Sequence, residues 1–541
     1  MFVKLTYFCH GKINLITMSK RLLLSLLLFG CLFANAQSIE VSGSQSGAWN
    51  ADTVYVTGNV KVQDSLYIHE GTTVVFKGFF NVLVKEGASL YALGTEADSI
   101  LFTVADTTGF HIFNSGRGGW NGIRLEKAGR CKFDYCRFQY GKAALDEDQD
   151  GGALRIFDSD NVEINHSTLY CNFSREHGGA LNAVDSKVVL DACNVVNNIT
   201  FSRVDTIYFM YGGGMRFLKC EIDITKTDFR YNNGESAIGG ALSIDSCVAR
   251  IDRCRFEYNY GINGAGLYMI RCYDNPCSIT NSLFANNTSG HFGGGLAISD
   301  SSPLVSNLTV VNNLSIGVNC GGIFFYQCSS PVVQNCIVYG NENSAPLEEP
   351  VQMWSWTFED NGPQFYNCLV QYGLENISNS EFITVYEDCL DGDPCFVNPE
   401  NGDFHLNANS PCINAGCAFG EEGFDLDGRW RICGDRIDIG AYEYSGLGVQ
   451  ESAHEEESIR IVGNPVTASS YVEIDLEQDG FVTIDIYSME GKVMGHRDLG
   501  KCPTGNTRLE VGGVFQGLAK GSYLLVVRSV GRTYSTRVLV L

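Results

Sequence analysis

The sequence predicts an all-β chain: a right-handed parallel β-helix, a solenoid of short stacked strands, followed by a small C-terminal β-sandwich. Three observations predict it. First, a nine-residue phrase recurs and closes on asparagine: Ile164 to Asn172, Leu190 to Asn198, Ile224 to Asn232, Ile251 to Asn259, Ile279 to Asn287, Val305 to Asn313 and Val333 to Asn341. The closing asparagines lie 26, 34, 27, 28, 26 and 28 residues apart, within the range of stacked-repeat architectures. Second, glycine pairs such as Gly151-Gly152, Gly178-Gly179, Gly213-Gly214, Gly239-Gly240 and Gly293-Gly294 keep a constant phase with that phrase. Third, the segments between glycines are short and alternating, rich in Val, Ile, Phe and Tyr, and broken by Gly, Asn, Asp and Ser. That is strand-and-turn chemistry, and the long 3.6-period segments of a helical repeat are absent.

Each recurring residue type has a physical role in such a stack. An asparagine tolerates the left-handed backbone region at a tight turn. Its amide carries both donor and acceptor, so it can bond to the backbone and to the asparagine one coil up. The glycine pairs suit another corner, where positive φ or close backbone approach is required. The fourth position of the phrase holds Ser167, Cys193, Thr227, Cys254, Ser282, Leu308 and Cys336, and Cys136 and Cys368 fit the same slot in two flanking copies. Small residues there read as an inner stack, with cysteine acting as a small hydrophobe rather than a metal ligand.

Length and charge set bounds. At 541 residues the chain exceeds one ordinary compact core, a limit a solenoid escapes because each coil touches only its neighbours. A formal net charge of −24 argues against nucleic acid as a partner. Lys20-Arg21, the apolar stretch Leu22 to Phe33 and Ala34-Asn35-Ala36 form a signal peptide, residues 1–36, with Met18 the expected true start. No other segment is apolar enough to span a bilayer, so no transmembrane segment is expected in the mature chain. Removing Cys9 and Cys31 leaves 19 of the 21 cysteines. Export permits disulfides, and Cys272 with Cys277, Cys320 with Cys328, and pairs among Cys389, Cys395, Cys412, Cys417 and Cys433 are the candidates.

In chain order, residues 37–130 form the entry coils and N-terminal cap, with short strands at Val54-Tyr55-Val56, Thr73 to Phe76 and Ile100-Leu101-Phe102. Residues 131–390 carry the repeats. Residues 199–211 and 342–364 are insertions, which in solenoids emerge as loops. About 10–13 coils and a rod of roughly 50–60 Å follow from a ~4.8 Å strand spacing. Residues 391–444 contain Asp393-Pro394-Cys395-Phe396, Ser410-Pro411-Cys412-Ile413-Asn414, Asp425-Leu426-Asp427-Gly428 and Asp438-Ile439-Gly440-Ala441-Tyr442-Glu443. This closely resembles the segment that closes many secreted bacterial β-helix proteins, which implies a C-terminal cap. Residues 445–458 are a polar, acidic linker. Residues 459–541 alternate as a β-sandwich does, at Val472 to Leu476, Val482 to Tyr487, Tyr523 to Val527 and Arg537 to Val540. Gly463-Asn464-Pro465, Gly491-Lys492-Val493, Leu518-x-x-Gly521-x-Tyr523-x-Leu525-x-Val527 and the ending Thr536 to Val540 resemble the C-terminal sorting domain of the type IX secretion system in Bacteroidetes. Glycine replaces that family's first proline. The resemblance implies the secretion machinery as a partner of residues 459–541, passage across the outer membrane, and an extracellular or outer-membrane-surface location in a Gram-negative bacterium.

For function, the sequence points to binding without catalysis: an adhesin or a protein contacting glycan or a host surface. The Gly-Gly-Ala and Phe-x-x-Asn marks are similar to repeats of the chlamydial polymorphic outer-membrane proteins, which act as adhesins. The alternative is a polysaccharide lyase or glycoside hydrolase, since many β-helices are such enzymes. Arg175-Glu176-His177 is the densest acid–base trio, with a solvated turn as its plainer reading. Asp146, Asp148 and Asp150, followed by Gly151, resemble the opening of a calcium loop and are the candidate metal ligands. Position twelve of that loop is Phe157, so a complete EF-hand is excluded, and an acidic loop without an ion is the alternative.

Overall fold

A computed structural model describes residues 37–201, 210–272, 276–317, 320–327, 330–344, 351–357, 362–417, 423–431, 436–444, 459–462, 470–476, 480–488, 493–515, 517–529 and 532–540. The expected signal peptide (1–36) and linker (445–458), Gly463-Asn464-Pro465, Gly491-Lys492, Cys328 and Cys433 lie outside the described residues, as do parts of both insertions.

A coil contains three short strands, such as Leu154–Phe157, Val162–Asn165 and Thr168–Tyr170. Each pairs in parallel with its counterpart one coil on, at Leu181–Val184, Lys187–Asp191 and Asn194–Val196. Repetition builds three parallel sheets, here the first, second and third in chain order. In the first sheet the register runs from Gly43–Gln45 through Val60, Val82, Ile123, Leu154 and onward to Ile377, thirteen rungs among the described residues. Twelve steps of ~4.8 Å give a rod of about 58 Å. The entry is simpler than separate strands. Ser38–Trp49 and Thr53–His69 are long strands that pass through all three sheets with bulges at the corners.

Alternate residues of every strand point inward and form one continuous core. Like side chains stack on like. Phe229, Phe256 and Phe284 lie face to face at 4.7 and 4.5 Å, almost coplanar in tilt. Phe102 stacks on Phe138 at 5.0 Å, and Phe76 on Trp120 at 4.3 Å.

The asparagines form a single buried column. The amide nitrogen of Asn172 donates to the amide oxygen of Asn198 at 2.9 Å, Asn198 to Asn232 at 3.0 Å, Asn232 to Asn259 at 3.0 Å, Asn259 to Asn287 at 2.9 Å, and so on to Asn341. Each nitrogen also donates to a backbone carbonyl, as Asn259 does to Phe229, and each oxygen also accepts the backbone N–H of the preceding asparagine. At the C-terminal end Gln352 takes the asparagine's place, accepting from Asn341 at 2.9 Å, and at the other end Gly141 donates its N–H to Asn172. One detail differs from the sequence expectation. The left-handed residue is the one before each asparagine: Cys171, Asn197, Tyr231, Tyr258, Asn286 and Asn312 have φ of 53° to 57°. The turn places the asparagine itself inward, where its amide replaces missing backbone partners.

The glycine corner divides its two needs between adjacent positions. Gly178 has φ of 60°, while a Cβ on Gly179 would sit 2.2 Å from the carbonyl oxygen of Gly213 on the next coil. The small inner residues also bond from coil to coil. Cys136 donates its N–H to Ser167 Oγ, Cys254 to Ser282 Oγ and Cys336 to Cys368 Sγ. A second such column, unmarked in the sequence reading, joins Ser159, Ser186, Cys220, Cys247, Cys272 and Ser301. Cys272 belongs to it as a free thiol, as does Cys277 nearby, so the expected Cys272–Cys277 disulfide is not formed. Cys320, Cys389, Cys395 and Cys412 are free as well. Burial pushes the Cys131 thiol up to about 11 and Cys193 to about 12, which makes them packing groups rather than nucleophiles.

Residues 391–444 pack along the outer face of the third sheet. Phe404, Leu426, Ala441 and Tyr442 cover Leu283, Ala285 and Val311. Gly440 donates its N–H to the carbonyl of Asn335, Ala441 to Thr309 Oγ1, and Arg431 reaches Asn281. Within the strap Arg431 and Glu443 form a buried pair at 2.9 Å. The C-terminal module has a three-stranded and a four-stranded antiparallel sheet, joined by a core of Val472, Ile484, Ile486, Leu509, Leu525, Val527 and Val538. Among the described residues no helix is long and apolar enough to cross a membrane.

Candidate functional site

Stacking decides which residues meet. Asp150, His177 and Tyr211 each stand one residue before the left-handed glycine of the corner, at Gly151, Gly178 and Gly212. They therefore pair as consecutive backbone bridges, Asp150 with His177 and His177 with Tyr211. Glu176 precedes His177, and its backbone N–H is held by the Gln149 carbonyl at 3.1 Å. One carboxylate oxygen each of Asp150 and Glu176 and a ring nitrogen of His177 lie within 4.8 Å of one another. Among the described residues this is the one group of three such side chains sharing a point.

Past the glycine corner the chain enters the first sheet, whose outward residues in adjoining coils are Arg124, Arg155, Asn182 and Arg216. Arg124 is buried and spent on structure, bonded to Asp148, the Gly151 carbonyl and Asn121. Arg155 pairs with Asp148 and Glu126. Arg216 is 8% exposed, and its Nη1 donates to Asn182 Oδ1 at 3.3 Å while Nε has no protein acceptor. Asp150, Arg155, Phe157, Asn182 and Val184 line an open cleft of about 530 Å³.

The three aspartates singled out in the sequence part company. Asp146 is exposed and pairs with Arg175 at 2.5 Å. Asp148 is bound between Arg124 and Arg155. Only Asp150 joins the cluster, with Oδ1 buried and without a partner. Alternate spacing would bring three carboxylates together on an ion-wrapping loop, but here basic residues from adjoining coils neutralise two of them. Glu176 and His177 of the sequence's acid–base trio do converge, and the third member is Asp150 rather than Arg175.

Environment separates the members chemically. Burial and the neighbouring Glu176 push the Asp150 carboxyl up to about 6. Burial, reinforced by Arg216, pushes His177 down to about 3, so its ring is neutral at neutral pH. The Tyr211 N–H donates to His177 Nδ1 at 3.2 Å. The ring proton then resides on Nε2, which acts as a donor and offers no lone pair to a cation. With two carboxylates and a donating imidazole, the cluster fits calcium's requirement for six to eight oxygens poorly.

A family model described as "right handed beta helix region" matches residues 105–314 and 224–390, which together span more than half of the chain. No curated protein matches. Among solved structures the chain is similar to the enzymatically active domain of tailspike protein 4 of bacteriophage CBA120, at 11% identity and a TM-score of 0.18. The match covers 90% of this chain and 62% of that one, so the chain spans less than two thirds of it, and at that score the likeness carries no argument about activity. The thirteen-rung coil and the matched residues give one conclusion: the chain belongs to the right-handed β-helix family.

Proposed function

We propose that this protein is an exported, surface-delivered β-helix that binds an extended glycan along the outer face of its first sheet. One observation supports the reading above others. Two outward columns run side by side down that sheet. The first is Arg155, Asn182, Arg216, Ser243, Tyr268, Ala297, Phe324 and Trp354. The second is Phe157, Val184, Leu218, Asp245, Ile270, Ser299, Tyr326 and Trp356. Phe157 and Trp356 are 43% and 44% exposed. Seven coil steps of ~4.8 Å make this a track of about 34 Å. Most of the first column is buried, Ser243 and Ala297 completely, so the second column, with Phe157 and Trp356 exposed at its ends and Val184, Leu218, Ile270 and Tyr326 half-buried between them, offers the apolar surface against which the faces of sugar rings stack. A net charge of −24 sets nucleic acid aside as the polymer.

Delivery rests on the C-terminal module. Its resemblance to type IX sorting domains supports engagement of that machinery by residues 459–541 and an extracellular or outer-membrane-surface destination. A mutant lacking 459–541 should accumulate in the periplasm, and normal surface display of it would reject the assignment. On a glycan array the full chain should bind at least one polysaccharide class. Trp356→Ala should weaken that binding about tenfold, or ~1.4 kcal/mol. Unchanged binding in both Trp356→Ala and Phe157→Ala would remove the track.

A further inference from the structure

We infer that the N-terminal edge of the coil is an interface with a second copy of this chain: Ser38–Trp49 of the two copies pair antiparallel, related by a two-fold axis at Ser44. The interface is independent of the glycan track.

A parallel solenoid leaves a row of backbone donors and acceptors unpaired at each end. At this end the row belongs to a single strand, Ser38–Trp49, which passes through all three sheets. Among the described residues it pairs on one side only, with Thr53–His69. The core beneath it is already closed. Val54, Val60 and Leu66 are fully buried, Val41 and Trp49 nearly so, and Trp49 Nε1 donates to Gln45 Oε1 at 3.4 Å. What stays open is therefore backbone rather than apolar side chains, and the complement of an open backbone edge is another strand. The common guards of a free edge are missing. The strand SIEVSGSQSGAW holds no lysine and no proline, and Glu40 is its one charge.

Three observations choose the occupant. First, the strand bends twice, with register shifts between Val41 and Gly43 and between Gln45 and Gly47. The bends fall at Ser42 and Ser46, symmetrically about Ser44. A straight partner strand can follow one of the three runs, whereas an antiparallel copy of the same strand presents the same two bends in the same places. Second, the pairing dictated by this symmetry sets Ile39 against Trp49, Glu40 against Ala48 and Ser42 against Ser46, so no like charges meet. Third, the other end of the coil is a poor match. Its last rungs, Ile377–Ser378 and Val385–Glu387, are two and three residues long and are flanked by the one-turn helices Gly373–Asn376 and Ser380–Phe382. Head-to-tail growth is thereby disfavoured, and the two-fold contact closes on itself. Twelve residues at ~3.3 Å each make a contact line of about 40 Å, and a strip about 10 Å wide covers roughly 400 Å² on each copy. That is about half of a standard interface, so the dimer should be reversible, with a dissociation constant on the order of micromolar.

The test uses the full chain as its own cells mature it, with its first residue read by peptide sequencing. Sedimentation over roughly 1 to 100 µM should show a monomer–dimer equilibrium. Ser44 is exposed, so a charge there leaves the fold intact. Ser44→Lys and Ser44→Glu each set like charges face to face at the axis and should weaken the dimer at least about tenfold, while an equimolar mixture of the two variants should recover it. Amide hydrogen exchange should show protection along residues 38–49 in the dimer that each variant alone loses, with circular dichroism and melting unchanged. A wild type that stays monomeric at about 100 µM overturns the interface, whether residues 1–36 or a different protein then cover the edge. Masses that keep growing with concentration, the mark of head-to-tail stacking, overturn it as well, as does a dimer that both charge variants leave unchanged.

Discussion

Asn259 shows what one side chain contributes to the solenoid. Its amide oxygen accepts from the Asn232 backbone and side chain, and its amide nitrogen donates to Asn287 and to the Phe229 carbonyl. Asn259→Ala leaves buried donors and acceptors on three coils without partners, at about 1–3 kcal/mol each. Urea unfolding should register a loss on the order of 3 kcal/mol or more, and a loss under 1 kcal/mol would show that water or relaxation replaces the bonds. Asp150 gives the opposite sign. Its carboxyl titrates near 3.8 when unfolded and near 6 when folded. A raised folded value contributes stability that is present below the unfolded value and is lost as pH rises through the folded one. Asp150→Asn should therefore match the wild type below pH 4 and exceed it above pH 6 by on the order of 2–3 kcal/mol, read from paired pH–stability curves. The asparagines were legible in the sequence because seven copies repeat the same signal. The Asp150–Glu176–His177 cluster was only half legible. Its parts lie on different coils, and the clue is positional: each of Asp150, His177 and Tyr211 directly precedes the corner glycine in its own repeat.

At the scale of elements, corners and straps differ in tolerance. The Gly179 corner has no room, since an added methyl would meet a backbone carbonyl at 2.2 Å, and backbone cannot swing aside as a side chain can. Gly179→Ala should lower the melting temperature strongly, by an amount equivalent to several kcal/mol, while Gly392→Ala, half-buried with nothing near it, should cost only its backbone strain of about 1–3 kcal/mol. The strap adheres chiefly through apolar cover. Leu426→Asp would bury a carboxylate against Leu283 and Ala285. Limited proteolysis should then cut within 391–444 at rates the wild type resists, with the coils still intact. The strap's bed was written in the sequence but not recognised. Third-sheet strands away from the strap alternate, as in Thr168-Leu169-Tyr170 and Asp228-Phe229-Arg230, whereas those under it are buried on both faces and carry no charge, as in Leu283-Phe284-Ala285 and Thr309-Val310-Val311. A strand without alternation signals a second cover. The resemblance to closing segments named the strap, but only packing located it along the flank.

For the whole molecule, the predicted 10–13 coils meet thirteen observed rungs, because strand spacing and repeat length leave little freedom. The Cys272–Cys277 disulfide was misjudged for an equally physical reason. Export permits oxidation, but columns of stacked cysteine use the sulfur as a small core group and acceptor, as Cys247 does for the Cys220 N–H. The buried column cysteines should react slowly with a thiol reagent in the native protein and fully after denaturation. Prompt native labelling of Cys193 or Cys254 would contradict the packing described. The asparagine column also has a direction. Every bond between side chains from Asn172 to Asn341 runs from amide nitrogen to the oxygen of the next coil toward the C-terminal end, and Gln352 receives the last one. Aligned in this way the amide dipoles add, and each bond polarises the next. The rod thus carries an electrical polarity of its own, independent of its ionised groups. A coil duplicated within the column would lengthen that dipole, whereas one reversed amide would set two like poles against each other in the dry interior.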